Sequence, residues 1–121
     1  MAVDLLGSED GELAEDVRAA VALALALTAL DEALALAEQI SDASLRDETL
    51  SGIAGRLAPS DPHKALGVLG QVSDSLIAEP VQAQVVRSLV RESTEEALAL
   101  ARSLRTRRLR VEALLAVATA L

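Results

Sequence analysis

The chain of 121 residues contains no phenylalanine, tyrosine or tryptophan. It therefore has no aromatic surface on which nucleic-acid bases could stack and no aromatic cage for a cation. It also lacks the aromatic anchors that dominate the binding energy of many protein–protein interfaces. The core must consequently consist of Leu, Val, Ile and Ala, and we expect alanine-rich helices that pack closely.

Cysteine is absent as well, and histidine occurs once, at His63. The absence of cysteine excludes disulfides and thiolate metal sites, and it is consistent with a reducing compartment. His63 follows Pro62 at a predicted helix start, so we expect a surface or structural residue there. The sequence shows no nucleophile–base pair, no set of metal ligands and no glycine-rich phosphate loop. We therefore expect neither an enzyme nor a cofactor.

Asparagine is missing too, and the only lysine is Lys64. Asparagine and lysine, like phenylalanine and tyrosine, have AT-rich codons, so a GC-rich bacterial genome is one explanation and a designed sequence is another. Gly67, Gly70 and Pro80 fall inside predicted helices, where glycine costs about 1 kcal/mol and proline about 3 kcal/mol relative to alanine. These irregularities favour natural drift over an idealised design.

Long hydrophobic runs are also lacking. The longest uncharged apolar stretch covers residues 19–30, about 12 residues, whereas a membrane span needs roughly 20. The N-terminus lacks the basic and then apolar pattern of a signal peptide. The formal net charge of −8 disfavours nucleic acid as a partner, because the chain is repelled by phosphate backbones. We expect a soluble, cytoplasmic protein with no membrane partner.

The sequence repeats one phrase. Glu-Ala-Leu-Ala-Leu-Ala occupies residues 32–37 and recurs at 96–101, and a diverged copy, Lys-Ala-Leu-Gly-Val-Leu, occupies residues 64–69. The three copies begin at positions 32, 64 and 96, and an even spacing of this size indicates stacked helical units. We predict one domain, residues 1–121, with an N-terminal partial repeat (1–30) and repeats at 31–62, 63–94 and 95–121.

Each repeat is predicted to contain a short helix, a tight turn and a longer helix. Apolar residues spaced i, i+3, i+4, i+7 place a buried stripe on each short helix and another on each long one. The short-helix stripes are Ala33, Leu36, Ala37, Ile40; Ala65, Val68, Leu69, Val72; and Ala97, Leu100, Ala101, Leu104. The long-helix stripes are Leu50, Ile53, Ala54, Leu57; Gln82, Val85, Val86, Leu89; and Leu114, Val117, Ala118, Leu121.

A helix remnant at residues 2–6 and a first long helix from about residue 12 to 29 precede the repeats. The buried stripe of this long helix is predicted to be Leu13, Val17, Val21 and Leu25. We expect the helix to be buried between neighbours, because it is apolar nearly all round after Arg18.

Capping patterns predict where the helices begin. Asp61 precedes Pro62 at a first helical position, and Ser93 has the capping-box spacing to Glu96. Thr28 has the same spacing to Asp31, which predicts a helix start there. Pro80 falls inside the expected second long helix, which should therefore start late, near Glu79, or be kinked.

The chain resembles the α-solenoid repeat proteins. Residues 42–46 (Asp-Ala-Ser-Leu-Arg), followed by Leu50, Ile53, Ala54 and Leu57, resemble the phrase of HEAT-like repeats, whereas the period and the Asp-Pro of residues 61–62 are more similar to tetratricopeptide repeats. The resemblance covers residues 31–121 well and 12–30 in part, and it leaves both subfamilies open. It implies an all-α, right-handed α-solenoid of antiparallel helix pairs that works as a protein-binding scaffold and is rarely an enzyme.

Two features suggest a partner. Charge is unevenly spread: residues 1–50 hold twelve acids, whereas the last twenty residues hold five arginines opposed by a single acid, Glu112. An acidic protein or peptide segment, a phosphate group, or the acidic end of another copy would suit the arginines, although a solubilising loop is the alternative. In a superhelix, polar positions that differ between the copies line up along one surface. The resulting candidate partner-binding residues are Arg102, Arg105, Arg107, Arg108, Arg110, Gln39 and Gln71.

The predicted last helix is apolar on most of its circumference, whereas a helical array normally ends with a polar outer face. The chain is then either a fragment of a longer array or a self-associating unit. It would oligomerise through this helix or through its acidic and basic ends. The candidate self-association residues are Leu114, Leu115, Val117 and Leu121.

Overall fold

The computed structural model describes the backbone of residues 11–121 and the side chains from residue 14 onward. This part of the chain is all-α, with seven helices and no strand. The predicted helix remnant at residues 2–6 and the predicted core position Leu13 lie outside the description. The helices are α1 (Gly11–Leu25), α2 (Leu30–Glu38), α3 (Ala43–Leu57), α4 (Pro62–Leu69), α5 (Ser75–Leu89), α6 (Thr94–Ser103) and α7 (Arg107–Ala120).

Long and short helices alternate, as predicted. The long helices α1, α3, α5 and α7 have 14 or 15 residues, whereas the short helices α2, α4 and α6 have 8 to 10. Each short helix contacts the two long helices beside it in sequence, and each long helix contacts the next long helix. Within residues 11–121, no helix contacts one more than two places away in chain order. The core is therefore a row of neighbouring contacts without a common centre.

Alanine occupies the closest contacts of this row. Ala33, Ala65 and Ala97, the alanines that follow the first residue of each copy of the repeated phrase, are fully buried. The long helices supply larger core side chains, among them Ile53 and Val85. The small residues allow the helices to approach closely, and the branched residues fill the remaining space. The predicted stripes of the two inner long helices are confirmed, with Gln82 half-buried at the edge.

The predicted stripes are only partly correct at the two outer helices. Val21 of α1 is exposed, as are Ala118 of α7 and Leu121 directly after it, whereas the other described positions of both stripes are buried or half-buried. The reason is that α1 contacts only α2 and α3, and α7 contacts only α5 and α6. Each outer helix therefore keeps one apolar side uncovered within the described chain, and the expectation that α1 is buried between neighbours on all sides is also wrong.

Side-chain caps fix most helix starts. The Asp61 carboxylate accepts a hydrogen bond from the Lys64 N–H (3.0 Å), and the Ser93 hydroxyl accepts one from the Glu96 N–H (3.2 Å), both as predicted. Thr28 does not cap α2, which starts at Leu30 after Ala29 and has no side-chain cap. The Thr28 N–H instead donates to the Leu25 carbonyl, in the turn that ends α1.

Pro80 does not delay the start of α5. The helix begins at Ser75, where the Asp74 carboxylate accepts a hydrogen bond from the Leu76 N–H (2.9 Å), so the predicted start near Glu79 is wrong. The cap fixes the first turn before the proline is reached, and the adjacent Ala78 and Glu79 are buried. The Pro80 side chain itself is exposed.

Replacing Gly67 with alanine is expected to raise the free energy of unfolding by about 1 kcal/mol, because alanine is the better helix former. Gly67 is an exposed residue of α4, and a Cβ added there would meet no atom within 4 Å. At Gly52 the added Cβ would lie 2.6 Å from Leu23 Cδ2, and the leucine side chain would have to move. Gly52→Ala should therefore raise the free energy of unfolding by less than Gly67→Ala. Urea denaturation of both variants measures the effect. A destabilised Gly67→Ala protein would show that this backbone is not helical in solution.

Candidate functional site

Three carboxylates join successive long helices. Glu15 on α1, Asp47 on α3 and Glu79 on α5 stand one period apart and accept hydrogen bonds from the two backbone N–H groups that immediately precede the next long helix. We call them the junction carboxylates. Asp47 receives one bond on each oxygen, from the Ser73 and Asp74 N–H groups, both at 3.1 Å. The long helices consequently run side by side with their N-terminal ends together.

The junction carboxylates use the chemistry of helix N-termini. Backbone N–H groups there lack partners within the helix, and the helix dipole favours a negative charge beside them. The Thr106 N–H donates to Glu79 Oε1 at 2.8 Å and lowers the pKa of Glu79, while burial of the side chain opposes the shift. The Ser41 hydroxyl likewise lowers the pKa of Glu15. These acids therefore fix the relative positions of the long helices.

This role was not predicted, although a signal for it is present in the sequence. The acids at positions 15, 47 and 79 follow the same even spacing as the repeated phrase.

The three junctions differ in how fully the carboxylate is hydrogen-bonded. Both hydrogen bonds to Glu79 end on Oε1, and the buried Oε2 accepts none within the described residues. At Asp47 and Glu15, by contrast, both carboxylate oxygens accept hydrogen bonds.

Stability below pH 4.5 should depend on Glu79. Its native pKa lies below the ordinary value of 4.5, so its stabilising effect is present above that value and is lost as the pH falls through the native pKa. We expect the free energy of unfolding to fall more steeply with acidification in the unmodified protein than in Glu79→Gln. Denaturant titrations from pH 7 downward measure both curves, and the other acids respond alike in both proteins. Parallel curves would contradict the assignment.

The arginines of the predicted partner site divide into two groups. Arg110 donates from Nη1 to the carbonyls of Leu104 (3.0 Å) and Arg105 (3.5 Å), so it holds the turn before α7. Arg46 makes the same kind of bond to the Ile40 carbonyl (3.3 Å) before α3. Because its guanidinium bonds the chain's own backbone, we assign Arg110 a structural role.

The remaining arginines are exposed. Arg108 lies 3.6 Å from the Glu112 carboxylate, one helical turn further along α7. Arg102, Arg105 and Arg107 make no ion pair with any described residue. They lie at the end of α6, in the following turn and at the first position of α7. We call these three residues the basic turn.

All of the turns from a short to a long helix lie along one edge of the molecule, because each is bonded to a junction carboxylate on the preceding long helix. Gln39 and Gln71 are exposed at the first two turns, one residue after the end of α2 and two residues after the end of α4. The structure thus places the predicted partner residues on a common edge, one group per turn. Along this edge the charge changes from acidic, at Glu38 and Asp42, to basic at the third turn.

The candidate self-association residues do not form one surface. Val117 is buried and Leu114 is half-buried, so both contribute to packing within the chain. Leu115 and Leu121 are exposed. Val111, which the sequence analysis did not select, is exposed one helical turn before Leu115 on the same side of α7.

His63 lies on the surface, as predicted. Its Nε2 is 2.7 Å from a carboxylate oxygen of Glu96, and this hydrogen bond raises the pKa of His63. The pair links the beginnings of α4 and α6, and both side chains are exposed. An exposed pair of this kind contributes little to stability.

Among the described residues, no group of three or more His, Cys, Asp or Glu side chains is placed to hold a metal ion. No helix of that part of the chain is long and apolar enough to cross a membrane. Comparison with protein-family models, with curated proteins and with solved structures finds no match.

Proposed function

We propose that this chain is a right-handed α-solenoid of antiparallel helix pairs, with repeats at 31–62, 63–94 and 95–121, and that it serves as a non-catalytic protein-interaction scaffold. Three observations support this architecture: the repeated phrase, the junction carboxylates in the same register, and helix contacts restricted to near neighbours. A row of this kind offers an extended surface for a partner segment. Both the HEAT-like and the tetratricopeptide-like class use such a surface.

The binding proposal depends on the exposure of the basic turn. Arg102, Arg105 and Arg107 are exposed and free of ion pairs among the described residues, in a chain whose formal net charge is −8. Arginine side chains hold carboxylates with two parallel hydrogen bonds, and a local excess of positive charge attracts an acidic segment from a distance. The partner class is therefore an acidic protein or peptide segment that lies along the edge of the turns, with Gln71 and Gln39 as further polar contacts.

The test compares two triple variants of equal charge change. In Arg102→Glu/Arg105→Glu/Arg107→Glu, the affinity for a fluorescently labelled Glu- and Asp-rich peptide should fall about tenfold or more. The matched control, Arg56→Glu/Arg87→Glu/Arg91→Glu, changes three exposed arginines elsewhere and should bind more tightly than the first variant. Fluorescence anisotropy at several salt concentrations measures both. Equal losses in the two variants would show that only net charge matters and would reject the basic turn.

A second candidate function is structural self-assembly, and the exposed Leu115 on α7 and the exposed Leu121 directly after it favour it. Assembly through these apolar side chains should be insensitive to salt, whereas assembly through the acidic and basic ends should weaken as salt screens the charges. Light scattering across a concentration and salt series separates the two modes. A monomer throughout the series would reject this second function and leave the scaffold proposal untouched.

A further inference from the structure

Position 111 departs from the series of junction carboxylates. Val111 stands one period after Glu79, where the preceding long helices carry Glu, Asp and Glu, and its side chain is 56 % exposed. A valine side chain accepts no hydrogen bond. If the start of another long helix packed here as at the inner junctions, two partly buried backbone N–H groups would lack the carboxylate acceptor, which is unfavourable.

Position 115 departs in the same way. Its counterparts in the earlier long helices, Ala19, Ser51 and Ala83, are small and buried. At one of these junctions the Ser51 hydroxyl lies 3.5 Å from the Ile77 carbonyl of the next long helix, which shows how closely that helix approaches. Leu115 is 61 % exposed and too large for the same approach. The outer face of α7 therefore differs from the inner junctions at two positions one helical turn apart.

The outer face of α7 carries an apolar ridge, which the exposed Arg107 precedes by one helical turn. Val111 and Leu115 form the ridge, and beside it the Arg108 guanidinium lies 3.6 Å from the Glu112 carboxylate, so the two charges offset each other. A shallow, open depression adjoins the ridge and is lined by Arg87, Glu112, Leu115, Ala116 and Thr119. The face thus carries both a projecting leucine and a recess next to it.

We infer that the outer face of α7 binds the same face of a second copy of this chain in a two-fold arrangement. The face continues the row of contacts between α1, α3, α5 and α7, which is where long helices already pack on one another. Because the ridge is apolar and the Arg108 and Glu112 charges beside it offset each other, two copies can meet there with less repulsion than the net charge of −8 suggests. The inference rests on self-assembly, the second function proposed above, and gives it a surface and a symmetry.

The two-fold arrangement is favoured over head-to-tail stacking. Stacking as at the inner junctions would place the start of α1 of one copy against Val111 of the other, where the carboxylate is missing. It would also leave open ends and allow growth beyond a dimer, whereas a two-fold contact closes after two copies. The geometry therefore points to a dimer as the end product.

Sedimentation equilibrium tests the dimer. One helix from each copy buries less than the roughly 800 Å² per partner of a standard interface, so the association should be weak and should appear only at high protein concentration. We expect the mass to rise from 12.6 kDa toward twice that value with little effect of salt, and to stop there. Leu115→Glu should remain monomeric at the same concentrations. Leu76→Glu, which changes a leucine that is 69 % exposed on α5, should dimerise like the unmodified protein.

The symmetry is tested with single cysteines, because the chain has none of its own. A two-fold contact brings identical residues of the two copies close together, and a disulfide needs Cα atoms within about 7 Å. Cysteine placed in turn at Val111, Leu115 and Thr119 should form a linked dimer faster at one or more of these sites than cysteine at Leu76. Circular dichroism confirms that each variant is folded.

Four results would overturn the inference: a monomer at every concentration, growth beyond a dimer, an unchanged dimer in Leu115→Glu, or cross-linking no faster at α7 than at Leu76. A salt-sensitive oligomer that Leu115→Glu leaves intact would retain self-assembly while rejecting this face. Peptide binding by the basic turn is measured separately, so its failure is distinguishable from both.

Discussion

Replacing Asp47 with alanine is expected to lower the free energy of unfolding by about 3 kcal/mol, because hydrogen bonds to a charged group contribute about 1.5–3 kcal/mol each. The carboxylate is buried and receives the Ser73 and Asp74 N–H groups, one on each oxygen. Its loss leaves two N–H groups poorly solvated at the junction of α3 and α5. Urea denaturation followed by circular dichroism measures the change.

Two control variants accompany Asp47→Ala. Glu48→Ala removes the neighbouring acid, which is exposed and makes no hydrogen bond within the described residues, so its effect should stay within about 0.5 kcal/mol. Asp47→Glu keeps a carboxylate of the length found at the other two junctions and should retain much of the stability. If Asp47→Ala and Glu48→Ala were equally stable, the junction carboxylates would not hold the long helices together.

Replacing Ile53 with alanine is expected to lower the free energy of unfolding by about 3–4 kcal/mol. The side chain is fully buried in α3, and α3 contacts α1, α2, α4 and α5. The substitution removes apolar contacts and leaves a cavity that rigid neighbouring helices fill only in part. The free energy of unfolding from urea denaturation gives the size of the effect.

Leu76→Ala is the matched control for Ile53→Ala, because it also truncates a four-carbon aliphatic side chain on a long helix. Leu76 is exposed, so its loss should change the free energy of unfolding by about 0.5 kcal/mol or less. Equal effects of the two substitutions would show that the Ile53 side chain is not packed in the core. A lower dependence on urea in Ile53→Ala alone would indicate that the row no longer unfolds as one unit.

The helices and much of the core could be predicted from the sequence, because both depend on local patterns. The 3.6-residue spacing of apolar residues and the caps at Asp61 and Ser93 are properties of neighbouring residues. Ala33 and Ala97 are buried alike, because each copy of the repeated phrase packs the same face against its neighbouring helices. Thr28 has the spacing of a cap but does not act as one, because its N–H takes part in the turn that ends α1, and local spacing does not predict where that helix ends.

The candidate site was less predictable for a different reason. Five neighbouring arginines look alike in sequence, yet the structure assigns Arg110 to two backbone carbonyls and Arg108 to Glu112, and leaves the basic turn exposed. Likewise, Val117 and Leu115 lie two residues apart on one apolar helix, and only the packing of α5 and α6 against α7 determines that Val117 is buried.

By itself, the sequence determined the helical class, the alternation of short and long helices and the period of the repeated phrase. Only the tertiary structure decided what the acids at positions 15, 47 and 79 do, because a carboxylate acts at a junction only when the next long helix brings its N-terminal N–H groups within hydrogen-bonding distance. The same packing reveals that Val111 takes the next place in that series. The role of these carboxylates depends on hydrogen bonds between residues 26 or more positions apart in the chain, which no local pattern encodes.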